Sequence, residues 1–278
     1  MTAGTVERSF EGFYADLDQV RSASGVRHMV KRFRRRGIAE PESRALALLR
    51  AHTPVGIAVP ALLGMELDGT EETLVLSYID GEPADNAQNP DAVAEQIIDV
   101  VTHWHTQRGT AFEDLEGAQH PDFASAYRAD ITRLSDWLRT ADRFDETVRH
   151  RILALVADVP ALLAPLADDT PVFIHDDAHA GNFLAADDRL VGVIDPGRAR
   201  FTHRELDVFH LADAGAALDL LPRYLARAPL APGWEQRRLL FSIWDDVKHA
   251  RDADWRDDAW FTTKLDAFEK ASSSLGPQ

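Results

Sequence analysis

The chain has no cysteine. Disulfides, thiolate catalysis and a cysteine-ligated zinc site are therefore excluded, while the absence itself fits any compartment. Long apolar runs are missing too. A membrane helix needs about 18 apolar residues, and the longest candidate, Ile152 to Ala167, is interrupted by Asp158 and Pro160. Met1 to Gln19 is polar and acidic and carries no signal-peptide apolar core, so a soluble cytoplasmic protein is expected. Positive charge is in short supply: 30 Lys and Arg stand against 46 Asp and Glu, a net charge of −16. The deficit is uneven, with a net of −1 over residues 1–81 and −15 over the remainder. A nucleic-acid partner is disfavoured, because such affinity rests on basic surface. A cationic small substrate bound in the second half is favoured by charge, with plain solubility as the alternative.

What is present is concentrated between Phe173 and Asp195, F-I-H-D-D-A-H-A-G-N-F-L-A-A-D-D-R-L-V-G-V-I-D. Short apolar runs separated by turn residues predict a β-hairpin. It carries His175, Asp177 and Asn182 at one end and Asp195 at the other. Hard oxygen ligands gathered in this way suit Mg²⁺, which takes one or two carboxylates and completes its shell with phosphate oxygens. The spacing is H-x-D-x-x-x-x-N, with Asp195 thirteen residues beyond Asn182. In kinase chemistry a loop Asp accepts the substrate hydroxyl proton, and an Asn and a second Asp hold the metals that bridge the nucleotide phosphates.

This pattern resembles the aminoglycoside phosphotransferase superfamily, whose loop reads H-G-D-x-x-x-x-N and whose metal Asp follows a short apolar strand. The family's glycine is Asp176 here. Two carboxylates are therefore adjacent, and the spacing to Asn182 selects Asp177 as the base. The resemblance implies an α+β, two-lobed protein-kinase-like fold. Residues 1–81 would form a nucleotide-binding lobe with a small antiparallel sheet and one helix. Residues 82–278 would form a larger, mainly helical lobe with the catalytic loop and substrate site. It also implies ATP and Mg²⁺ as cofactors, with Asn182 and Asp195 as metal ligands and His175 propping the catalytic loop.

Residues 6–36 read as strands and turns. Gly12 is the one glycine of the first strand-turn region after Gly4. Glycine lets backbone approach a phosphate closely, so residues 11–18 are the candidate nucleotide loop. Lys31 lies on the face of the next strand opposite Val26, His28 and Val30. Glu42 sits at the start of P-E-S-R-A-L-A-L-L-R, a segment with helical apolar spacing. Together V-K-R-F and E-x-x-A-L-x-L-L look like the superfamily's phosphate-binding Lys–Glu pair. Pro60 to Glu66 and Thr73 to Ile79 predict two more strands. By the resemblance the Ser77 carbonyl and the Ile79 N–H would hold the adenine, with the lobe boundary near Gly81.

Beyond Asn89 the pattern is helical. Val93, Ile97, Val100 and Trp104 form one apolar stripe; Tyr127, Ile131, Leu134 and Leu138 a second; Val148, Ile152, Leu155 and Val159 a third, stopped by Pro160. His103 and His105 are two apart, not the three or four that ligands on one helix face require, and His105 reads as structural. Asp207, twelve residues past Asp195, matches the superfamily Asp that begins a helix and braces the catalytic loop. The run D-P-x-x-x-x-x-x-H-R-E-x-D and the later G-W-E-Q-R-R are closer to fructosamine kinases, although position 179 is His where that branch has Trp. Residues 244–260 combine three Trp with six Asp. Trp244, Asp245, Asp246 and His249 form the candidate substrate wall, since an ammonium is attracted to both carboxylates and indole faces. The alternative there is an acidic helix whose Trp residues pack inward.

The resulting expectation is a small-molecule O-phosphotransferase acting on an amino-sugar-type substrate such as an aminoglycoside-like antibiotic, which would connect it to antibiotic resistance. A fructosamine kinase-like deglycation enzyme and a non-catalytic nucleotide-binding pseudokinase are the alternatives. A protein kinase is disfavoured by the lack of D-F-G and A-P-E motifs.

Overall fold

The computed structural model describes residues 4–213 and 218–274. In chain order the strands β1 (Gly4–Glu11), β2 (Ala15–Ser22) and β3 (Arg27–Phe33) precede α1 (Ala39–His52). Then come β4 (Leu62–Glu66), β5 (Glu72–Ser77), β6 (Glu82–Pro83) and α2 (Pro90–Trp104). Next are β7 (Phe112–Glu113), β8 (Gln119–His120), α3 (Phe123–Thr140), α4 (Glu146–Ala154) and α5 (Val159–Leu163). Residues 172–202 supply β9 (Val172–Ile174), β10 (Phe183–Ala186), β11 (Arg189–Val193) and β12 (Arg200–Thr202). The described chain ends with α6 (Glu205–Asp213), α7 (Leu220–Arg227), α8 (Trp234–Ala253) and α9 (Asp258–Ser274). None of the described helices is long and apolar enough to cross a membrane.

The described residues form two compact units. The first holds those up to Trp104, His175–Arg200 and 218–220; the second holds His105–Ile174, Phe201–Asp213 and the residues from Leu221 onward. The first unit is built on an antiparallel sheet ordered β1-β2-β3-β5-β4. On β3 the residues Met29, Lys31 and Phe33 share one face, opposite Leu76, Leu74 and Glu72 of β5. Phe33, Leu74 and Leu76 pack with Ala39 and Leu46 of α1 into a small core. Lys31 thus lies on the apolar face under α1, which is why one member of a basic run is buried.

The start of α1 is fixed from outside the helix. The Glu72 carboxylate on β5 accepts from the N–H groups of Gly37, Ile38 and Ala39 at 2.8, 3.1 and 3.1 Å. These are donors that a helix N-terminus cannot satisfy internally. Burial alone would raise the Glu72 pKa, but the three N–H groups hold it below the ordinary value.

In the same unit β10 and β11 form a hairpin around Asp187 and Asp188, both in left-handed conformation. The helix α2 clamps its turn. Gln96 Nε2 donates to the Asp188 carbonyl at 3.2 Å, its Oε1 accepts from the Leu190 N–H at 3.1 Å, and Asp188 Oδ1 accepts from the Asn89 N–H at 2.7 Å. The preceding apolar run does not join this hairpin, because β9 pairs with β12.

The second unit is mainly helical. All four residues of the predicted stripes on α3 and α4–α5 are buried in its core, together with α6, α8 and α9. Pro160 does not stop the third stripe. The α-helix already ends at Ala154, and Pro160 occupies the first turn of α5, where a missing N–H costs nothing.

Glu72→Ala should cost about 1–2 kcal/mol of stability at neutral pH, measured by chemical unfolding. Since the fold depresses the Glu72 pKa, its contribution is complete above the unfolded carboxylate value of about 4.3 and fades as pH falls through the lower folded value. The two proteins should converge in acid. A gap that does not narrow as the pH falls would show that the carboxylate charge is not what caps α1.

Candidate active site

Three elements of the first unit bring charge to one point. Lys31 Nζ on β3 donates to Glu42 Oε1 on α1 at 2.8 Å and pairs with Asp195 Oδ1 just past β11. Lys31 and Glu42 are buried, whereas 42% of the Asp195 side chain stays exposed. Burial works to lower the Lys31 pKa, but the Asp195 and Glu42 carboxylates outweigh it and raise it above the ordinary value. Burial pushes Glu42 up to about 6 against the pull of Lys31, with Asp195 adding repulsion. For Asp195 burial also works upward, and the Lys31 ammonium overcomes it to hold the carboxyl below its ordinary value.

The loop between β9 and β10 places Asp177. Asn182 Nδ2 donates to the Asp177 carbonyl at 2.9 Å and to its Oδ2 at 3.0 Å. A short 3-10 turn, Ala180–Asn182, is capped by His179, whose Nδ1 accepts from the Gly181 N–H at 3.1 Å. That bond puts the proton on His179 Nε2, 3.8 Å from Asp177 Oδ2. His175 Nε2 donates to the Ile194 carbonyl at 3.1 Å, and its ring is stacked on Trp104 at 5.5 Å. His175 therefore ties the start of the loop to the end of β11.

Hairpin register accounts for the meeting of Asn182 and Asp195. Phe183 pairs with Val193, and the Ile194 N–H donates to the Asn182 carbonyl at 2.9 Å. The two residues consequently flank the open end of the hairpin. Asn182 spends its amide nitrogen on Asp177, which leaves Oδ1 as its donor atom toward a cation. Asp195 engages Lys31 through Oδ1, which leaves Oδ2. One amide oxygen and one carboxylate oxygen fit Mg²⁺ arriving with phosphate oxygens.

The remaining predicted residues are placed as follows. Only Gly12–Tyr14 lie between β1 and β2, so the stretch 11–18, expected as a loop, is a three-residue turn between strands. A Cβ at Gly12 would lie 2.7 Å from the Ala15 carbonyl oxygen. Ser77 ends β5 and exchanges hydrogen bonds with Ala61 through its N–H and Oγ. The Ile79 side chain lies where a Cβ at Gly192 would meet it at 2.8 Å. In the second unit Asp207 is buried on α6 and meets His105 Nε2 at 3.2 Å, while His105 Nδ1 meets the Tyr224 hydroxyl at 2.8 Å.

The substrate wall needs correction. Trp244 is buried in the helical core and offers no ring face to a ligand. Asp245 pairs with Lys248 and, at 2.9 Å, with His249. Burial works to raise its pKa, and Lys248 with the His249 hydrogen bond holds it well below the ordinary value. Burial raises the pKa of Asp246, which lies 2.7 Å from Lys264 Nζ and accepts from Trp260 Nε1 at 3.0 Å. Apolar packing claims the indole, and intramolecular cations already compensate the carboxylates.

Two residues near the site escaped the sequence reading. Arg200 is buried and lies 2.8 Å from Asp176 Oδ2. Gly197 packs so closely that a Cβ there would lie 2.7 Å from the Asp176 carbonyl oxygen and 3.2 Å from Asp177 Cβ. The one available signal was Asp176 itself, an extra carboxylate in need of a cation. Nothing in R-A-R distinguishes Arg200 from Arg198.

Comparison with known proteins sets this geometry in a family. A model of the phosphotransferase enzyme family matches residues 11–240. The uncharacterized protein YcbJ of Escherichia coli K12 is 31% identical over 176 residues, 59% of this chain and 57% of that protein. The match thus spans little more than half the length of that curated relative. Among solved structures, a proposed fructosamine-3-kinase from Thermobifida fusca has a TM-score of 0.74 at 22% identity, covering 98% of this chain and 94% of that one. A thermostable mutant of aminoglycoside phosphotransferase APH(4)-Ia, in ternary complex with AMP-PNP and hygromycin B, has a TM-score of 0.73 at 17% identity, covering 97% and 95%. At these identities the likeness is one of fold, and the fold is kinase-like: a five-stranded antiparallel sheet followed by a largely helical region. The family match runs from the end of β1 into α8 and takes in every residue of the Lys31–Asp177–Asp195 site, so the chain belongs to the phosphotransferase enzyme family.

Proposed function

We propose that the protein is an ATP- and Mg²⁺-dependent small-molecule O-phosphotransferase whose acceptor is a hydroxyl of a cationic, amino-sugar-type compound. The observation that carries this reading is Lys31 held between Glu42 and Asp195, beside a hairpin that presents Asn182 and Asp177. Functionally, residues 1–81 serve as the nucleotide lobe and 82–278 as the catalytic and substrate lobe. The compact first unit crosses that boundary because it includes α2 and the catalytic hairpin.

Each group has one task. Lys31 contacts the nucleotide phosphates, and Glu42 keeps the ammonium in place. The Ser77 carbonyl and Ile79 N–H hold the adenine, and the Gly12 turn covers the phosphates. Asn182 and Asp195 would hold Mg²⁺, which supplies charge neutralisation on the phosphates when bound. Asp177, oriented by the Asn182 amide, accepts the proton of the acceptor hydroxyl as the γ-phosphoryl transfers in line. His175 holds the loop by its bond to Ile194. Asp207, through its buried bond to His105, braces the helix that follows. Positioning and charge neutralisation, rather than covalent chemistry, supply the rate. The acidic balance of residues 82–278 supports a cationic acceptor, but the buried Trp244 offers it no ring face.

A fructosamine kinase-like activity is the second reading. The two segments that resemble that branch meet in the fold: Glu205 of H-R-E receives both Arg237 Nε and Nη2 of E-Q-R-R at 2.8 Å, fully buried.

ADP release with Mg-ATP, measured against a panel of aminoglycosides and fructosamine-type amines, separates the readings. Turnover should appear on one class, and Asp177→Asn should lower kcat by about 10²–10⁴-fold with nucleotide affinity unchanged. Substrate-dependent turnover that survives in Asp177→Asn would remove Asp177 from the role of base, and nucleotide binding without turnover on any compound would favour a non-catalytic protein.

Glu42 provides an independent check by carboxyl NMR. It should titrate near about 6, and higher in Lys31→Met. Its folded value lies above the unfolded one, so its ionisation lowers stability as pH rises from about 4.3 to the folded value. A Glu42 titration unmoved by Lys31→Met would mean that the pair does not exist in solution.

A further inference from the structure

Position 176, where the resembled loop carries glycine, is left-handed with φ 66°. Aspartate tolerates that region better than most side chains, though not as freely as glycine. Its carboxylate is also buried, with 5% of the residue exposed, and a buried charge requires a partner. Arg200, equally buried, lies 2.8 Å away and also donates Nη1 to the Arg198 carbonyl at 2.8 Å. Arg200 ends the segment that begins at Asp195, itself left-handed with φ 54°. Midway along that segment Gly197 lies against the backbone of Asp176 and against Asp177 Cβ, with no room for a side chain.

We propose that Asp176 and Arg200 are a pair of positioning residues. Their ion pair straps the catalytic loop to the 195–200 segment and so fixes Asp177 relative to Asp195. Neither residue touches the reacting atoms. Where the family sequence spends a glycine on the left-handed turn, this chain accepts the backbone cost and gains a cross-link between the base and the metal ligand. The functional part rests on the phosphotransferase reading; the coupling of the two residues does not.

The test is a double-mutant cycle of wild type, Asp176→Gly, Arg200→Met and the double variant, with two readouts. In thermal unfolding, Arg200→Met removes the guanidinium beside a buried carboxylate and should lower Tm by roughly 6 °C or more, and the double variant should recover at least half of that loss. In nucleotide binding, ADP affinity without metal should match in all four proteins. The gain in ADP affinity produced by Mg²⁺ should shrink about tenfold in Arg200→Met, as for groups that orient metal ligands, and return in part in the double variant and in Arg200→Lys. Additive Tm effects would overturn the coupling. A Mg²⁺-dependent gain equal in all variants would overturn the positioning role. A wild type with no such gain would overturn the phosphotransferase reading and the positioning role with it, while the unfolding cycle still decides the ion pair. If Arg200→Met does not fold, Asp176→Gly and Arg200→Lys carry the same readouts.

Discussion

A buried ammonium with two carboxylates is the constraint around which the first unit is arranged. Lys31 cannot sit under α1 uncompensated, because desolvating a lone charge costs several kcal/mol. Glu42 answers from the helix and Asp195 from the end of the hairpin. β3 and α1 are neighbours in sequence, but Asp195 lies 164 residues beyond Lys31, and this charge is a reason for them to meet. Burial works upward on both carboxylates: at Asp195 the Lys31 ammonium overcomes it and holds the pKa below the ordinary value, whereas at Glu42 burial prevails and pushes it up to about 6.

The sheet, the helices and the loop polar groups were legible in the sequence because each rests on a local signal. Alternation put Lys31 opposite Val30, helical spacing marked Val93 to Trp104, and H-x-D-x-x-x-x-N set Asp177 against Asn182. What was not legible depends on long-range pairing. The apolar run Val172–Ile174 pairs with β12 rather than with the hairpin, which no local pattern encodes. Trp244 and its acidic neighbours have the composition of a binding surface, and only packing shows that the indole faces a core and that Lys248 and Lys264 already compensate the acids. Arg200 was invisible because one arginine in R-A-R is like the other until Asp176 is placed.

The second unit has its own polar chain, buried except at Arg204. Asp207, His105, Tyr224 and Arg204 are linked in series by contacts of 3.2, 2.8 and 3.3 Å. Burial works to lower the His105 pKa, and against it Asp207 favours the proton; the net direction is downward. A neutral imidazole suits the position, since one nitrogen can donate and the other accept. The series joins α6 and α7 to the residue that follows α2 without placing a net positive charge on the histidine.

The Glu72 cap bears on control as well as on stability. In protein kinases the positioning of the glutamate-bearing helix is a point of regulation. Here that helix begins at three N–H groups held by a carboxylate on the same sheet that carries Lys31. Withdrawing Glu42 by a swing of α1 would break those bonds and expose the small core beneath. The helix is moored to the strand rather than hinged beside it, so the position of Glu42 is set by the same sheet that carries Lys31.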